Sequence, residues 1–87
     1  MIRHIVMLRL PQGFDEAELS EVMRGLSELR GEVDGFMDFE SGPNLDFENK
    51  LPDYPRGFIC TFRDAAAVQA YAGHKTHQAL GKRLVEL

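Results

Sequence analysis

The sequence predicts an α+β fold in which an antiparallel sheet carries helices on one face. Three short apolar runs, at residues 2–10, 36–41 and 57–63, have the composition and alternation of β-strands. Three helical segments are interspersed with them in the order strand, helix, strand, strand, helix, helix. This order is the beginning of a split βαβ layout. With 87 residues, the chain is expected to form one domain, residues 1–87.

The first strand and the first helix have the clearest patterns. Residues 2–10 are rich in β-branched and apolar side chains, and alternation places His4, Val6 and Leu8 on one face. Asp15 and Glu18 predict a capping box at the start of a helix. An apolar stripe then recurs at steps of three and four residues, comprising Leu19, Val22, Met23, Leu26 and Leu29.

The second strand is expected at residues 36–41, where alternation puts Met37 and Phe39 on the same face. Gly42 is expected to end it, because glycine followed by proline is a turn signal. Residues 45–55 then form the long loop of the domain, since they contain two more prolines and mixed charges.

The remaining elements are a strand at residues 57–63 and two helices. In the strand, alternation places Phe58, Cys60 and Phe62 on one face. A short helix over residues 65–72 is expected to begin at an Asp64 cap and to end at Gly73 in the C′ position. A last helix, capped by Thr76, is expected to run through residue 87.

The second face of the sheet also carries apolar side chains. Ile5, Met7 and Ile59, with Met37 or Phe39, are the candidates. Burial of four or five such side chains is worth about 10 kcal/mol, comparable with the whole stability of a small domain. We therefore expect a homodimer that packs sheet against sheet. The alternative is an apolar patch that a monomer tolerates.

Composition and charge exclude several classes of protein. Ten basic residues against 14 acidic ones give a net charge of −4 with both signs mixed along the chain, so nucleic acid is not an expected partner. The longest apolar run, residues 5–8, is far too short to span a membrane. A single cysteine forms no internal disulfide. The start of the chain lacks signal-peptide anatomy, so a cytoplasmic location is expected, and no cofactor motif is evident.

Two histidines and a tyrosine are the candidate chemical groups. His4 shares a strand face with apolar residues, and His77 shares a helix face with Leu80. If these faces pack together, both imidazoles line one cavity, which Tyr71 and His74 can also reach. Imidazole serves as a general base near neutral pH, and a tyrosine hydroxyl can orient a carbonyl.

Each of these residues also has a purely structural interpretation. His4 can be a core residue that hydrogen-bonds to the backbone, and His74 beside Lys75 can face solvent. A metal site of His4, His74 and His77 is not expected, because no carboxylate lies at helical ligand spacing from His77. Cys60 alternates with two phenylalanines and is expected to be a small buried group.

Four short motifs resemble the stress-responsive A/B barrel family. They are residues 2–6 (Ile-Arg-His-Ile-Val), residues 41–44 (Ser-Gly-Pro-Asn), residues 61–64 (Thr-Phe-Arg-Asp), and Tyr71 followed by His-Lys-Thr-His at residues 74–77. The resemblance covers residues 1–87. It implies a ferredoxin-like α/β barrel formed by a homodimer whose sheets face each other.

The resemblance extends to olivetolic acid cyclase-like polyketide cyclases, in which a helix histidine is the base and a nearby tyrosine assists it. By position in the motif, these roles fall to His77 and Tyr71. The resemblance also implies a ligand pocket lined by His4, Val6, Leu8, Met23, Leu26, Phe58, Cys60, His74 and Leu80.

Three features depart from the family pattern. Tyr-Pro-Arg at residues 54–56 replaces the usual Tyr-Thr-His, so that Arg56 puts a permanent cation where the family has an imidazole. His-Lys-Thr-His replaces His-Pro-Ala-His at residues 74–77. The family pattern continues into a fourth strand after the last helix, and no such strand is expected within residues 1–87.

Three functions remain open at the level of sequence. The first is a homodimer that binds a small apolar or aromatic molecule between helices and sheet, with His4 and His77 as polar anchors. The second is a cyclase-like enzyme that uses His77 as general base and Tyr71 as orienting donor. The third is a structural or stress-protective dimer without chemistry.

Overall fold

Three strands and three helices follow one another in the predicted order. The computed structural model describes residues 1–50 and 52–87, so Leu51 of the predicted loop lies outside the described residues. The elements are β1 (Ile2–Leu8), α1 (Glu16–Glu28), a 3₁₀ turn (Leu29–Gly31), β2 (Phe36–Pro43), β3 (Arg56–Phe62), α2 (Ala65–Gly73) and α3 (Lys75–Val85).

The strands form an antiparallel sheet with the order β1-β3-β2. Ile2 of β1 pairs with Phe62, and Leu8 pairs with Arg56, the first residue of β3. No described strand residue therefore lies opposite Arg9 or Leu10, which explains why β1 ends two residues earlier than predicted. The α+β fold and its antiparallel sheet are confirmed.

A β-bulge changes the faces of β2 from those predicted. The register shifts between Phe36 and Asp38, so the simple alternation through Met37 was wrong. Phe36 and Phe39 both lie on the helix side, and Phe39 stacks on Phe58 with ring centroids 5.5 Å apart. Phe39 is therefore not part of the outer face, whereas Met37 is exposed.

The strand β2 also extends beyond its predicted end. Gly42 pairs with Gly57, and Pro43 pairs with Arg56. β2 is an edge strand that pairs only with β3 in the described sheet. A proline is tolerated in an edge strand, because its missing N–H group can lie on the side where no strand accepts a hydrogen bond. The predicted end of β2, at residue 41, was therefore two residues too early.

Helix α1 begins as predicted, but half of its capping box is replaced. The Asp15 Oδ1 atom accepts hydrogen bonds from the backbone N–H groups of Ala17 and Glu18 at 3.0 and 3.1 Å. The Glu18 side chain does not close the box, because its two oxygens accept from Arg83 of α3 at 2.6 and 3.0 Å. The carboxylate thus links α1 to α3 instead of capping its own helix.

Gly25 allows α1 and α3 to approach closely. A Cβ atom at this position would lie 3.0 Å from both methyl carbons of Leu80. Glycine in a helix costs about 1 kcal/mol relative to alanine. Here the absent side chain makes room for Leu80, which is buried against α1.

The junction between α2 and α3 differs from the prediction at two residues. Asp64 caps α2 as expected, with its Oδ1 atom accepting from the Ala67 N–H at 3.0 Å. Gly73 is the last residue of α2 rather than a C′ residue, because His74 follows directly in extended conformation. His74, not Thr76, caps α3, since its Nδ1 atom accepts from the Thr76 N–H at 3.1 Å.

The core lies between the helices and one face of the sheet. Its fully buried members come from both layers, and the largest are Phe62, Leu26, Leu29, Val22 and Cys60. On the opposite face, Ile5 and Met7 remain 62% and 39% exposed. Within the described residues, no helix has both the length and the apolar character needed to cross a membrane.

Candidate functional site

The predicted histidines and the tyrosine gather where α2 and α3 meet the middle of the sheet. We call His4, Cys60, Tyr71 and His77 the imidazole cluster. The rings of Tyr71 and His77 lie 4.1 Å apart between centroids, and the Cys60 thiol donates to the Tyr71 hydroxyl oxygen at 3.9 Å. His4 pairs with Cys60 across the sheet. Cys60, Tyr71 and His77 are thus in contact, and His4 lies opposite Cys60 in the sheet; a ligand cavity shared by these groups stays a prediction.

The surroundings of His77 disfavour protonation of its ring. Burial lowers the pKa of its imidazole below the usual 6.5, and the nearby His4 and His74 lower it further. The backbone of Ala72, which favours the protonated ring, offsets part of this effect. The buried Nδ1 atom has no partner of hydrogen-bond geometry among residues 1–50 and 52–87. A neutral imidazole with a free nitrogen is able to accept a proton.

Tyr71 and Cys60 are neutral groups in the interior. Burial raises the pKa of the Tyr71 hydroxyl and that of the Cys60 thiol. Tyr71 is only 3% exposed, and its oxygen already accepts from the thiol. Both residues therefore act as packing and hydrogen-bonding groups, and neither has the properties of an activated nucleophile.

His74 lies beside this cluster but serves the backbone. Its Nδ1 atom caps α3, and its Nε2 atom lies 3.8 Å from a carboxylate oxygen of Glu32. With one nitrogen accepting from the backbone, the ring is oriented by the helix start rather than by a ligand. Among the described residues, no three His, Cys, Asp or Glu side chains are arranged to hold a metal ion.

A separate cavity of about 410 Å³ lies between α1 and one end of the sheet. We call it the α1 cavity. Its apolar lining comes from both layers and consists of Leu8, Leu19, Met23 and Phe39. Its polar and small lining residues are Ser20, Arg24, Ser27, Ser41, Gly42, Arg56 and Gly57.

The local sequence explains why space remains here. Ser20, Met23, Arg24 and Ser27 follow one another at helical steps of three, four and seven, so they share one face of α1. Two of these side chains are small hydroxyls. The sheet contributes a pair of glycines at its end, where Gly42 lies opposite Gly57. The helix and the sheet therefore leave a gap where larger residues would have filled it.

The structure divides the predicted pocket walls between three places. Leu8 and Met23 line the α1 cavity. Leu26, Phe58, Cys60 and Leu80 are buried in the core, and Val6 is half-buried against it. His4 is exposed on β1. His4 and Leu8 are four residues apart on β1, about 13 Å at 3.3 Å per residue. The cavity therefore lies towards the Leu8 end of the sheet, whereas the imidazole cluster lies near the middle, where Phe39 of the cavity wall pairs with Cys60.

Most residues around the α1 cavity were not predicted. The sequence pattern places Leu19 in the apolar stripe of α1 and does not indicate a site role for Leu19 or Arg24. The serines and glycines carried no assignment as site residues. The spacing of Ser20, Met23 and Ser27 was a usable pattern, because it defines a second face of α1 beside the apolar stripe. Arg56 was recognised as a cation in place of an imidazole, and it lines the cavity.

Arg56 is the best-positioned cation at this cavity. Its Nη2 atom donates to the Glu16 carboxylate at 2.6 Å, and its side chain is 35% exposed. Its guanidinium carbon lies 5.8 Å from the centroid of the Phe14 ring. Contacts on two sides hold the guanidinium in a defined orientation, in contrast to Arg24, whose side chain is 68% exposed.

A third feature is a groove of about 310 Å³ on the outer face of the sheet. Its apolar walls include Ile5, Met7 and Ile59 from the strands and Leu45 from the loop that follows β2. These are the side chains that the sequence assigned to a partner-covered face, apart from Leu45. The groove and the α1 cavity share Gly42 and Gly57, and therefore border the same end of the sheet.

Comparison with known proteins agrees with this architecture. A crystal structure of a dimeric ferredoxin-like protein of unknown function from Jannaschia sp. CCS1 superimposes with a TM-score of 0.89 and is 45% identical, covering 97% of this chain and 82% of that one. The hydroxynitrile lyase of Passiflora edulis shares the fold, with a TM-score of 0.78, 16% identity, and coverage of 92% and 76%.

Sequence comparison leads to the same group of proteins. The stress-response A/B barrel domain-containing protein HS1 of Arabidopsis thaliana is 24% identical over 76 residues, which span 87% of this chain and 70% of that protein. The model of the family described as Stress responsive A/B Barrel Domain matches residues 2–87. Since the match extends over almost the whole chain, this protein belongs to the stress-responsive A/B barrel domain family.

Proposed function

We propose that this protein is a homodimer that binds a small apolar or aromatic molecule in the α1 cavity. The observation that carries the proposal is the cavity itself, which lies between a helix and the sheet and has an apolar floor of Leu8, Leu19, Met23 and Phe39. Three hydroxyl groups and two guanidinium groups lie among these side chains. Apolar walls with a few polar groups are typical of small-molecule sites.

The size of the cavity supports this proposal. Its volume of about 410 Å³ falls within the range of roughly 300–1,000 Å³ that is common for ligand pockets. Without a ligand, this space is open to water. Much of the wall cannot hydrogen-bond to such waters, so an apolar ligand gains free energy by displacing them.

The outer face of the sheet supports the dimer. Ile5, Met7 and Met37 are 62%, 39% and 52% exposed in the single chain. Together with Leu45, at 68%, they leave more apolar surface in water than isolated exposed residues do. The relative from Jannaschia, at 45% identity, is a dimer. A second copy packed on this face removes the apolar side chains from water and leaves the α1 cavity open on the other side.

Filling the cavity tests the binding proposal. Calorimetric titration with 1-octanol, a neutral apolar probe, is expected to show saturable binding to the wild-type protein. Ser20→Phe places a large ring at the cavity wall and is expected to abolish that binding. Gln78→Phe, on an exposed part of α3 away from the cavity, is the matched control and should leave it intact. Equal binding by both variants would reject the α1 cavity as the site.

A second candidate function is proton-transfer catalysis at the imidazole cluster. One observation favours it: a neutral His77 with an unpartnered nitrogen lies against Tyr71. In such an enzyme His77 accepts the proton and Tyr71 orients the substrate. Loss of turnover in both His77→Ala and Tyr71→Phe would support these roles, and undiminished turnover in both variants would exclude them.

A further inference from the structure

The α1 cavity has a charge pattern unlike that of the chain as a whole. The protein carries 14 acidic and 10 basic residues, for a net charge of −4. Among the described residues that line the cavity, two are arginines, three are serines, and none is acidic. The arginines are Arg24 and Arg56, on opposite sides of the space between helix and sheet. Each arginine has an acidic partner, Glu28 for Arg24 at 3.3 Å and Glu16 for Arg56 at 2.6 Å. Neither carboxylate lines the cavity, so the charged groups that do line it are cations.

Arg56 is arranged so that it can bind a second anion. A guanidinium has five N–H donors in a planar fork. In the part of the chain that the structure describes, only Nη2 has an acceptor, the Oε1 atom of Glu16 at 2.6 Å. The remaining donors are available on a side chain that is 65% shielded from solvent, since 35% is exposed. Partial burial strengthens such charge-assisted hydrogen bonds.

The Arg56 cation lies next to the apolar floor of the α1 cavity. Arg56 pairs with Leu8 across the sheet, and Leu8 is buried at 7% exposure and lines the same cavity. Met23 and Leu19 approach from α1. A ligand with a hydrocarbon or aromatic body on these side chains therefore has its end within reach of the guanidinium. The serine hydroxyls of Ser20, Ser27 and Ser41 supply further donors around the rim.

We propose that the ligand of the α1 cavity is an amphipathic carboxylate, an aliphatic or aromatic acid whose carboxylate binds Arg56. This inference rests on the proposed small-molecule function and specifies its ligand class. A carboxylate matches the planar guanidinium with two parallel hydrogen bonds. Glu16 occupies only part of the Arg56 fork, and the ligand carboxylate binds the donors that Glu16 leaves free. The side chain of Arg24 is more exposed, at 68%, and is a weaker candidate for this contact.

A matched pair of probes tests the proposal. Octanoate and 1-octanol have the same number of carbon atoms and differ in the end group, a carboxylate in one and a neutral hydroxyl in the other. Calorimetric titration of the wild-type protein at neutral pH is expected to show octanoate binding at least tenfold more tightly than 1-octanol. In Arg56→Gln the octanoate affinity is expected to fall by about tenfold or more, and the affinity for 1-octanol is expected to change much less.

Two further variants make the test specific. Arg9→Gln removes one positive charge at an exposed position, where Arg9 pairs with Asp53 at 4.0 Å, and should leave both affinities unchanged. Glu16→Gln releases Arg56 from its ion pair and removes a negative charge beside the cavity. This variant is expected to bind octanoate more tightly than the wild type. A tightening is also a result that damage to the fold would not produce.

The outcomes separate this inference from the proposed function. If 1-octanol binds in a way that Ser20→Phe blocks, and octanoate binds no more tightly, the cavity is a small-molecule site but the carboxylate inference is wrong. An Arg56→Gln variant that loses both probes equally would also overturn the role of the guanidinium. If neither probe binds the wild-type protein, both proposals fall.

Discussion

Replacing Ile5 by alanine tests the sheet-to-sheet dimer quantitatively. The substitution removes three carbons, worth about 2.4 kcal/mol when fully buried at ~0.8 kcal/mol each. Ile5 is 62% exposed in the single chain, so about 1.5 kcal/mol of this depends on coverage by the partner. A two-fold interface contains the residue twice, which gives about 3 kcal/mol per dimer. The dissociation constant is therefore expected to rise about 100-fold.

Sedimentation equilibrium over a range of protein concentrations measures this change. Val85→Ala, which trims an 87% exposed side chain on α3, is the matched control and should leave the dissociation constant unchanged. Because Ile5 is exposed in the single chain, the far-UV circular dichroism of Ile5→Ala should match that of the wild type. An unchanged dissociation constant in Ile5→Ala would refute the assignment of this sheet face to the interface.

Three further predictions concern stability, each measured by urea unfolding. The hydrogen bonds from Arg83 hold the pKa of Glu18 below its usual 4.5. Their contribution to the free energy of unfolding is therefore present above pH 4.5 and is lost as the pH falls. The difference in free energy of unfolding between the wild type and Arg83→Gln should accordingly shrink at acidic pH. Burial lowers the pKa of His77 below 6.5, so protonation of this ring favours the unfolded chain. The free energy of unfolding of the wild type should therefore decrease as the pH falls through about 6.5. His77→Gln should not show this part of the pH dependence. Leu26→Ala, at 2% exposure, should cost about 2–5 kcal/mol, and a loss below 1 kcal/mol would contradict its place in the core.

Periodicity predicted those parts of the fold that depend on burial of one face. The alternation in β1 and β3 and the stripe of α1 each follow from a single apolar side, and the structure has these elements within a few residues of the predicted bounds. The caps at Asp15 and Asp64 were also predictable, because a carboxylate beside the first free N–H groups of a helix is a local interaction. Such features need no knowledge of distant residues.

The errors arose where a distant residue decides the outcome. Glu18 was expected to cap α1, but Arg83 offers a charged partner 65 residues away. Phe39 was one of two alternatives, with Met37, for the outer face, because a bulge at Met37 has no signature in the alternation. Thr76 has a stronger capping propensity than His74, yet the extended backbone at His74 places its ring nitrogen over the Thr76 N–H. None of these long-range or backbone effects is visible in a local pattern.

The residues of the candidate sites also fall into a group that the sequence predicts and a group that it does not. The proximity of His77 and Tyr71 was predictable, because spacing on adjacent helices and family resemblance both indicated it. The α1 cavity was not, because it exists where side chains are small. Serines on one face of α1 and glycines in two paired strands are each unremarkable, and only their juxtaposition leaves a space. Sequence patterns therefore predict which side chains pack in the core better than they predict where a cavity remains.

Methionine methyl NMR shows whether a ligand binds in the α1 cavity, because one methionine lines it. The chain has four methionines, of which Met23 lines the cavity and Met7 lines the outer groove, whereas Met1 and Met37 line neither. Titration with octanoate of protein labelled with ¹³C at the methionine methyl groups is expected to shift the Met23 signal saturably and to leave those of Met1 and Met37 in place. An unmoved Met23 signal, or a saturable shift of Met7 alone, would contradict the account.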